Sequence, residues 1–226
     1  MPAPPFPDPR TLPAAAGIVS VGVPLTVETL YGAYAQGIFP WPSPGRPVEW
    51  YCPDPRGVLD FSEFHVPKRL QRKLRGGAWR FTADLRFEEV VRSCAGAHRR
   101  RQNWKTWLTD EMAESYIRFH QAGYAHSLEC WEGERLVGGL YGVYVCGVFS
   151  GESMFHREPD ASKLCLVELV SRLRARGLTW IDIQMVTAVT ERFGGKYIPR
   201  KEFLDRLDRL DRSQLPVELD LARDPT

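Results

Sequence analysis

The spacing of hydrophobic positions changes several times along the chain, and each change predicts an element. In "TVETLYGAYAQG" apolar residues fall at helical spacing from Val27 to Gln36, with Thr26 placed to cap the first turn and Gly37 to stop the last. "PKRLQRKLRGG" predicts a short basic helix ended by glycines, and "WRFTAD" a strand. "RFEEVVRSCAGA" predicts a helix with Phe87, Val90, Val91 and Cys94 on one face, followed by a basic loop, "HRRRQNWKTW". "TDEMAESYIRFHQAG" reads as a helix with Thr109 as its N-cap. The period then falls to two. "AHSLECWE", the turn "GE", "RLVGGLYGVYV", a tight turn near Gly147 and "VFSGESMF" predict antiparallel strands joined by hairpins. "DASKLCLVELVSRLRARG" returns to helical spacing, turning Leu164, Val167, Leu169, Val170 and Leu173 toward a core. "LTWIDIQMV" follows as a buried strand, and "EFLDRLDRLDRSQL" as a charged terminal helix.

A run of hairpins, a long helix and a further strand is an α+β order. Residues 1–60 stand apart from it. Residues 1–16 are rich in Pro and Ala and are expected to be extended and poorly ordered. From Pro40 to Pro55 prolines are dense, and proline fixes φ and turns the preceding residue away from helix, so a stiff irregular loop is expected. That loop region holds Phe39, Trp41, Trp50 and Tyr51. The expected organisation is a small N-terminal domain over 1–60 and a larger domain over 61–226.

Composition narrows the function classes. Hydrophobic residues make up 43% and charged residues 26% of 226, as in a globular protein with a full core. No apolar run reaches the roughly 18 residues of a membrane helix, and the N-terminus lacks the basic-then-apolar order of a signal peptide. The five cysteines are odd in number and form no C-x-x-C pair, which speaks for a reducing cytoplasm rather than a disulfide framework or zinc site. The net charge of +2 conceals a segregation: residues 65–105 carry twelve Lys or Arg against three acids, leaving the remainder at −7. A polyanionic partner, nucleic acid before membrane, fits that asymmetry. Lys68, Arg69, Arg72 and Lys73, with Arg99, Arg100 and Arg101, are the candidate nucleic-acid contacts.

Three features carry candidate chemistry. Glu152 lies in "SGESMF" between apolar neighbours, where a carboxylate is costly unless it is paired or used. With strict alternation Phe149, Gly151, Ser153 and Phe155 share one face, and Ser150, Glu152 and Met154 the other. In "WIDIQM", Asp182 and Gln184 are two apart on an apolar strand and need partners. Tyr34, Trp41, Trp50 and Tyr51 stand near a basic segment, an arrangement that suits stacking on a single-stranded nucleic-acid end or, equally, the core of a small domain. The hairpin, helix and strand order of residues 126–184 resembles the acetyltransferase fold. Those enzymes cradle a pyrophosphate with a glycine-rich loop before the helix. Here that place reads "HREPDASKL", without glycine, so CoA is not expected as donor.

Taken in order, "LYGAYAQGIFPW", "PDPRGVL", "TWLT", "GYAHSLE", "LVGGLYGV", "GESMF", "DASK", "IDIQMVT" and "IPRKEFL" resemble the bacterial leucyl/phenylalanyl-tRNA–protein transferases, from about residue 27 to 207. The resemblance implies a small N-terminal domain plus an acetyltransferase-like (GNAT-type), mixed-sheet C-terminal domain. It implies transfer of leucine or phenylalanine from aminoacyl-tRNA to the α-amine of proteins starting with Arg or Lys, marking them for degradation, without metal or other cofactor. By position it places Asp182 and Gln184 at the reaction centre, with Glu152 holding the basic N-terminal residue or its amine. Met154 corresponds to pocket lining for the amino-acid side chain. Tyr34 and Trp41 correspond to aromatic positions around the terminal adenosine, and Trp107 and Tyr116 to further aromatic positions near the site. The chain departs from the family pattern in "VGVPL" (residues 21–25), at Val189, where a histidine is common, and in "RFGGK".

On this reading Glu152 and Asp182 together form an anionic pocket, Gln184 aligns the attacking amine, and either carboxylate takes its proton. The protein is expected to be a cytoplasmic monomer that spans no membrane. Two other readings stay open: a related aminoacyl-tRNA-dependent transferase with a different acceptor, and a non-catalytic RNA-binding protein.

Overall fold

A computed structural model describes residues 6–13, 15–41, 45–101 and 108–222, and the side chains of all of these except 98–101. The elements in chain order are β1 (Ile18–Val21), α1 (Val27–Tyr34), β2 (Phe39–Trp41), β3 (Glu49–Tyr51), β4 (Arg56–Asp60), α2 (Lys68–Arg75), β5 (Arg80–Ala83), α3 (Phe87–Arg101) and α4 (Asp110–Gln121). They continue with β6 (Ala125–Glu132), β7 (Arg135–Val145), β8 (Val148–His156), α5 (Ala161–Arg174), β9 (Trp180–Gln184), α6 (Ala188–Glu191), β10 (Lys196–Ile198) and α7 (Arg200–Arg209).

Caps foreseen in the sequence are in place. Thr26 and Thr29 form a reciprocal capping box on α1, and the Thr109 side chain accepts from the Met112 N–H of α4. At the β7–β8 hairpin, Cys146 and Gly147 both take positive φ, which gives the tight two-residue turn expected there.

The large sheet runs β10-β4-β9-β8-β7-β6-β5. Every pair is antiparallel except β8 and β9, which are parallel and connected through α5. This is the mixed-sheet α+β arrangement expected. An apolar core on one face joins Val90 of α3 and Tyr116 of α4 with Tyr141, and continues into Leu30, Phe39 and Trp50. The core on the other face joins Leu164, Leu169 and Leu173 of α5 with Leu59, Phe149 and Ile181. The N-terminal segment therefore shares a core with the large sheet. The break expected near residue 60 meets β4, which already pairs with β9 and β10, while the three-stranded sheet β1-β3-β2 ends at Tyr51.

Several expectations are corrected. "FPW" and "EWY" form strands rather than an irregular loop, with Phe39 opposite Tyr51 and Trp41 opposite Glu49. Pro40 is tolerated because β2 is an edge strand, where its missing N–H takes no ladder bond away. The N-terminal lead is anchored from Phe6 onward. Phe6 lies 4.8 Å from Trp50, centroid to centroid, and the buried Arg200 guanidinium donates to the carbonyls of Leu12, Pro13, Ala16 and Cys52 at 2.6–3.1 Å. Helix α3 runs through Arg101, so Arg99, Arg100 and Arg101 end a helix instead of lying in a loop, though their side chains fall outside those described. The basic segment is also divided: Leu70 of α2 packs in the α5-side core, whereas α3 packs on the opposite face.

The alternation assumed for "VFSGESMF" fails at a bulge. Tyr141 pairs with Ser153 and Gly142 with Gly151, so Glu152 is the extra residue. Phe149 accordingly joins the α5-side core and Phe155 the opposite one, instead of sharing a face. Gly142 permits this crowding, because a Cβ there would lie 2.4 Å from both the Ser150 carbonyl oxygen and Phe149 Cε1. Gly142→Ala is expected to lower stability by about 1–3 kcal/mol through overpacking. Urea denaturation measures this, and an unchanged midpoint would contradict the close fit.

Candidate active site

Strands β8 and β9 pair at one position, Ser150 opposite Asp182, and diverge beyond it. A cavity of about 400 Å³ opens there. Its walls include Trp41 of β2, Glu152 and Met154 of β8, Leu166 of α5, Ile183 and Gln184 of β9, and Val189. The enclosure is mostly apolar, with a few polar groups gathered at the bulge.

Asp182 is the most constrained of these groups. Both its oxygens are taken by Arg56, whose Nε lies 2.8 Å from Oδ1 and Nη2 2.7 Å from Oδ2. The Ser150 hydroxyl donates to Oδ2 at 3.1 Å, and the Gln184 N–H to Oδ1 at 3.0 Å. The two charged side chains are 1% and 2% exposed. The guanidinium is sandwiched between the rings of Phe39 and Phe203, with Cζ 4.7 and 4.5 Å from their centroids. Burying two charges is repaid only by such geometry; both Asp182 oxygens are filled, while Arg56 Nη1 has no hydrogen-bond partner among the described residues. The expected pocket of two carboxylates is thereby corrected. Asp182 is neutralised from within the protein and offers no free oxygen to a substrate.

Gln184 ends β9 with φ +53°, a left-handed backbone that a side-chain-bearing residue seldom adopts. Its N–H bond to Asp182 holds this conformation. Its side-chain amide donates to Glu152 Oε1 at 2.9 Å. With Glu152 ionised the carboxylate only accepts, so the amide nitrogen faces it, and the Gln184 side-chain carbonyl oxygen makes no hydrogen bond among the described residues.

Glu152 takes a second bond from the Tyr116 hydroxyl at 2.9 Å to Oε2, and Tyr116 is joined to Tyr34 by a hydroxyl–hydroxyl bond of 2.7 Å. Burial raises its pKa, with the Asp182 charge adding to the rise. The tyrosine hydroxyls and Arg56 pull it back, leaving it at about 7. Burial likewise pushes the phenols of Tyr34, Tyr116 and Tyr141 well above their usual value, so they stay neutral donors.

The sequence-predicted residues therefore separate into groups. Glu152, Gln184, Met154 and Trp41 meet around the cavity, with Asp182 directly behind them. Tyr34 and Tyr116 are buried behind Glu152 and do not line the cavity, so the structure places Tyr34 as a support for the carboxylate, away from a stacking position. Trp107 lies outside the described residues. Of the basic residues on α2, Arg69 and Lys73 both pair with Asp160, whereas Lys68 and Arg72 are exposed and carry no ion pair among the described residues. Arg56 was not singled out by the sequence. The available signal was Asp182 itself, since a carboxylate in an apolar strand requires a buried cation.

The fold and site define a mixed-sheet α+β protein with a buried, near-neutral carboxylate at the divergence of its parallel strand pair. The family model described as leucyl/phenylalanyl-tRNA protein transferase matches residues 58–208, and that family's N-terminal domain matches residues 24–54. A leucyl/phenylalanyl-tRNA–protein transferase of Anaeromyxobacter sp. (strain K) is 50% identical over 206 residues, covering 91% of this chain and 88% of the relative. One from Pseudoalteromonas atlantica is 43% identical over 222 residues, covering 98% and 94%. The chain belongs to the leucyl/phenylalanyl-tRNA protein transferase family. Among solved structures, the C-terminal domain of a putative lysylphosphatidylglycerol synthetase from Agrobacterium fabrum aligns at a TM-score of 0.48 and 11% identity, over 75% of this chain and 62% of that one.

Because Glu152 keeps its proton longer in the folded protein than in the unfolded chain, its contribution to stability declines from about pH 4.5 to about pH 7 and is gone above that. Tyr116→Phe removes a donor from the ionised form and should move the titration midpoint upward. NMR titration of a ¹³C-labelled Glu152 carboxyl measures it; a midpoint that does not move counts against this network.

Proposed function

We propose that this chain transfers leucine or phenylalanine from aminoacyl-tRNA to the α-amine of proteins beginning with Arg or Lys, acting as a cytoplasmic monomer. The observation that carries this reading is the amide of Gln184. It is oriented by Glu152 on one side and fixed through its backbone by Asp182 on the other, and its carbonyl oxygen has no hydrogen bond among the described residues. An aminoacyl ester is already activated, so the protein needs only to place a neutral amine near the carbonyl and exclude water. The Gln184 carbonyl oxygen accepts one N–H of that amine and aligns its lone pair. Glu152, one hydrogen bond away and near-neutral in pKa, receives the proton.

The apolar walls at Met154, Leu166, Ile183 and Val189 suit the side chain of leucine or phenylalanine, and Trp41 at the rim suits a base. Glu152 is the anion available to favour a basic N-terminus, since Asp182 is internally paired. Lys68 and Arg72 supply sequence-independent phosphate contacts.

Transfer of labelled leucine or phenylalanine to peptides starting with Arg, Lys, Asp or Glu tests the reading. Arg and Lys peptides are expected to be labelled; labelling of Asp or Glu peptides alone would move this chain to a different acceptor. Glu152→Gln should slow transfer to the Arg peptide by about 10²-fold, and an unchanged rate removes the carboxylate from the reaction. Replacing Lys68 and Arg72 with alanine should weaken tRNA binding and flatten its log–log salt dependence by about one unit per cation.

A further inference from the structure

Tyr141 presents a hydroxyl for which the fold supplies no partner. The residue is fully buried, and its phenolic oxygen makes no hydrogen bond among the described residues. Buried hydroxyls are nearly always satisfied, and leaving one unpaired is unfavourable. Arg56 Nη1 and His126 Nε2 are also buried without a partner, but the groups nearest the carboxylate are satisfied. Tyr34 and Tyr116 bond to each other, Tyr116 bonds to Glu152, and the Gln184 amide nitrogen is committed to the same carboxylate. Tyr141 lies in the wall of the cavity, its ring 5.2 Å from that of Tyr116, and its strand partner Ser153 adjoins Glu152 at the bulge. The unpaired donor thus stands beside the groups that handle the attacking amine.

We infer that the Tyr141 hydroxyl is the donor that stabilises the oxyanion formed when the α-amine attacks the aminoacyl ester. This rests on the transferase reading above. The amine lone pair forms the N–C bond while the carbonyl π pair moves onto oxygen, which accepts the Tyr141 O–H. On collapse that pair re-forms the C=O. The C–O bond to the tRNA ribose breaks with its electrons on the ribose oxygen, and the proton removed from the amine through Glu152 ends there. The products are an amide and a tRNA with a free terminal hydroxyl. A neutral phenol in a water-poor wall suits this role, because its dipole is fixed before charge develops. The missing partner is then explained: the group that satisfies this hydroxyl is present only during the reaction.

The test is Tyr141→Phe in the full-length protein, assayed by steady-state transfer from leucyl-tRNA to an Arg-starting peptide alongside thermal unfolding. The expected result is a kcat lower by about 10²–10³-fold with KM for both substrates unchanged, and a Tm unchanged or raised, because an unsatisfied buried group has been removed. Unchanged kcat overturns the inference and leaves the hydroxyl as a structural defect. A raised KM with unchanged kcat also overturns it, since the hydroxyl would then hold the ground state. If kcat falls together with Tm, tryptophan fluorescence and a tRNA-binding measurement on the variant decide: intact fold and binding retain the inference, and their loss overturns it. Failure of the unsubstituted protein to transfer at all rejects the transferase reading itself, and is distinguished from these outcomes by the wild-type arm.

Discussion

The structure depends on one buried ion pair. Arg56 comes from the first strand after the proline-dense region, and Asp182 from the strand that closes the parallel crossover. The rings that sandwich the guanidinium come from β2 in the N-terminal sheet and from α7 near the C-terminus. Four segments distant in sequence thus meet at one cation. Removing either partner of such a pair leaves an uncompensated charge, at a cost of about 3–5 kcal/mol. That is a large share of the stability of an ordinary domain. The pair also determines what lies in front of it. It fixes the Gln184 backbone in its left-handed conformation and sets the field felt by Glu152, with Arg56 and Asp182 acting in opposite directions.

Glu152 therefore differs from Asp182 in kind. Both are carboxylates in largely apolar surroundings, but one has a bidentate cation and the other has only neutral donors. Asp182 has both oxygens held by a buried guanidinium, whereas Glu152 is balanced between two protonation states near neutral pH. Different partners thus divide a structural from a chemical role between two neighbouring carboxylates.

Much of this was legible in the sequence, and for identifiable reasons. Elements with long periodic patterns, such as α4, α5 and the β6–β8 meander, lie where the pattern put them, because burial of one face dictates both period and element. Glu152, Asp182 and Gln184 stood out because polar groups in apolar strands need partners. Short strands escaped notice: β1, β2, β3 and β10 have three or four residues each, too few to display a period. The bulge escaped because an inserted residue is visible only when both strands are known. The partner of Asp182 escaped because Arg56 is remote in sequence and sits among prolines, where no periodicity suggests burial. Composition left Tyr34 open between a ring offered to a ligand and one whose hydroxyl serves a buried carboxylate.

Strands β8 and β9 share a single backbone register position, Ser150 opposite Asp182. The walls of the cavity are therefore joined the way the arms of tongs are joined at a pivot, and are not laced together by a ladder. Widening the gap breaks no backbone hydrogen bond between these two strands beyond the pivot. Beyond it the Gln184 amide bond to Glu152 still ties the two strands at the bulge. A single protein can in this way keep one reacting geometry at the narrow end and accommodate aliphatic or aromatic bulk at the wide end.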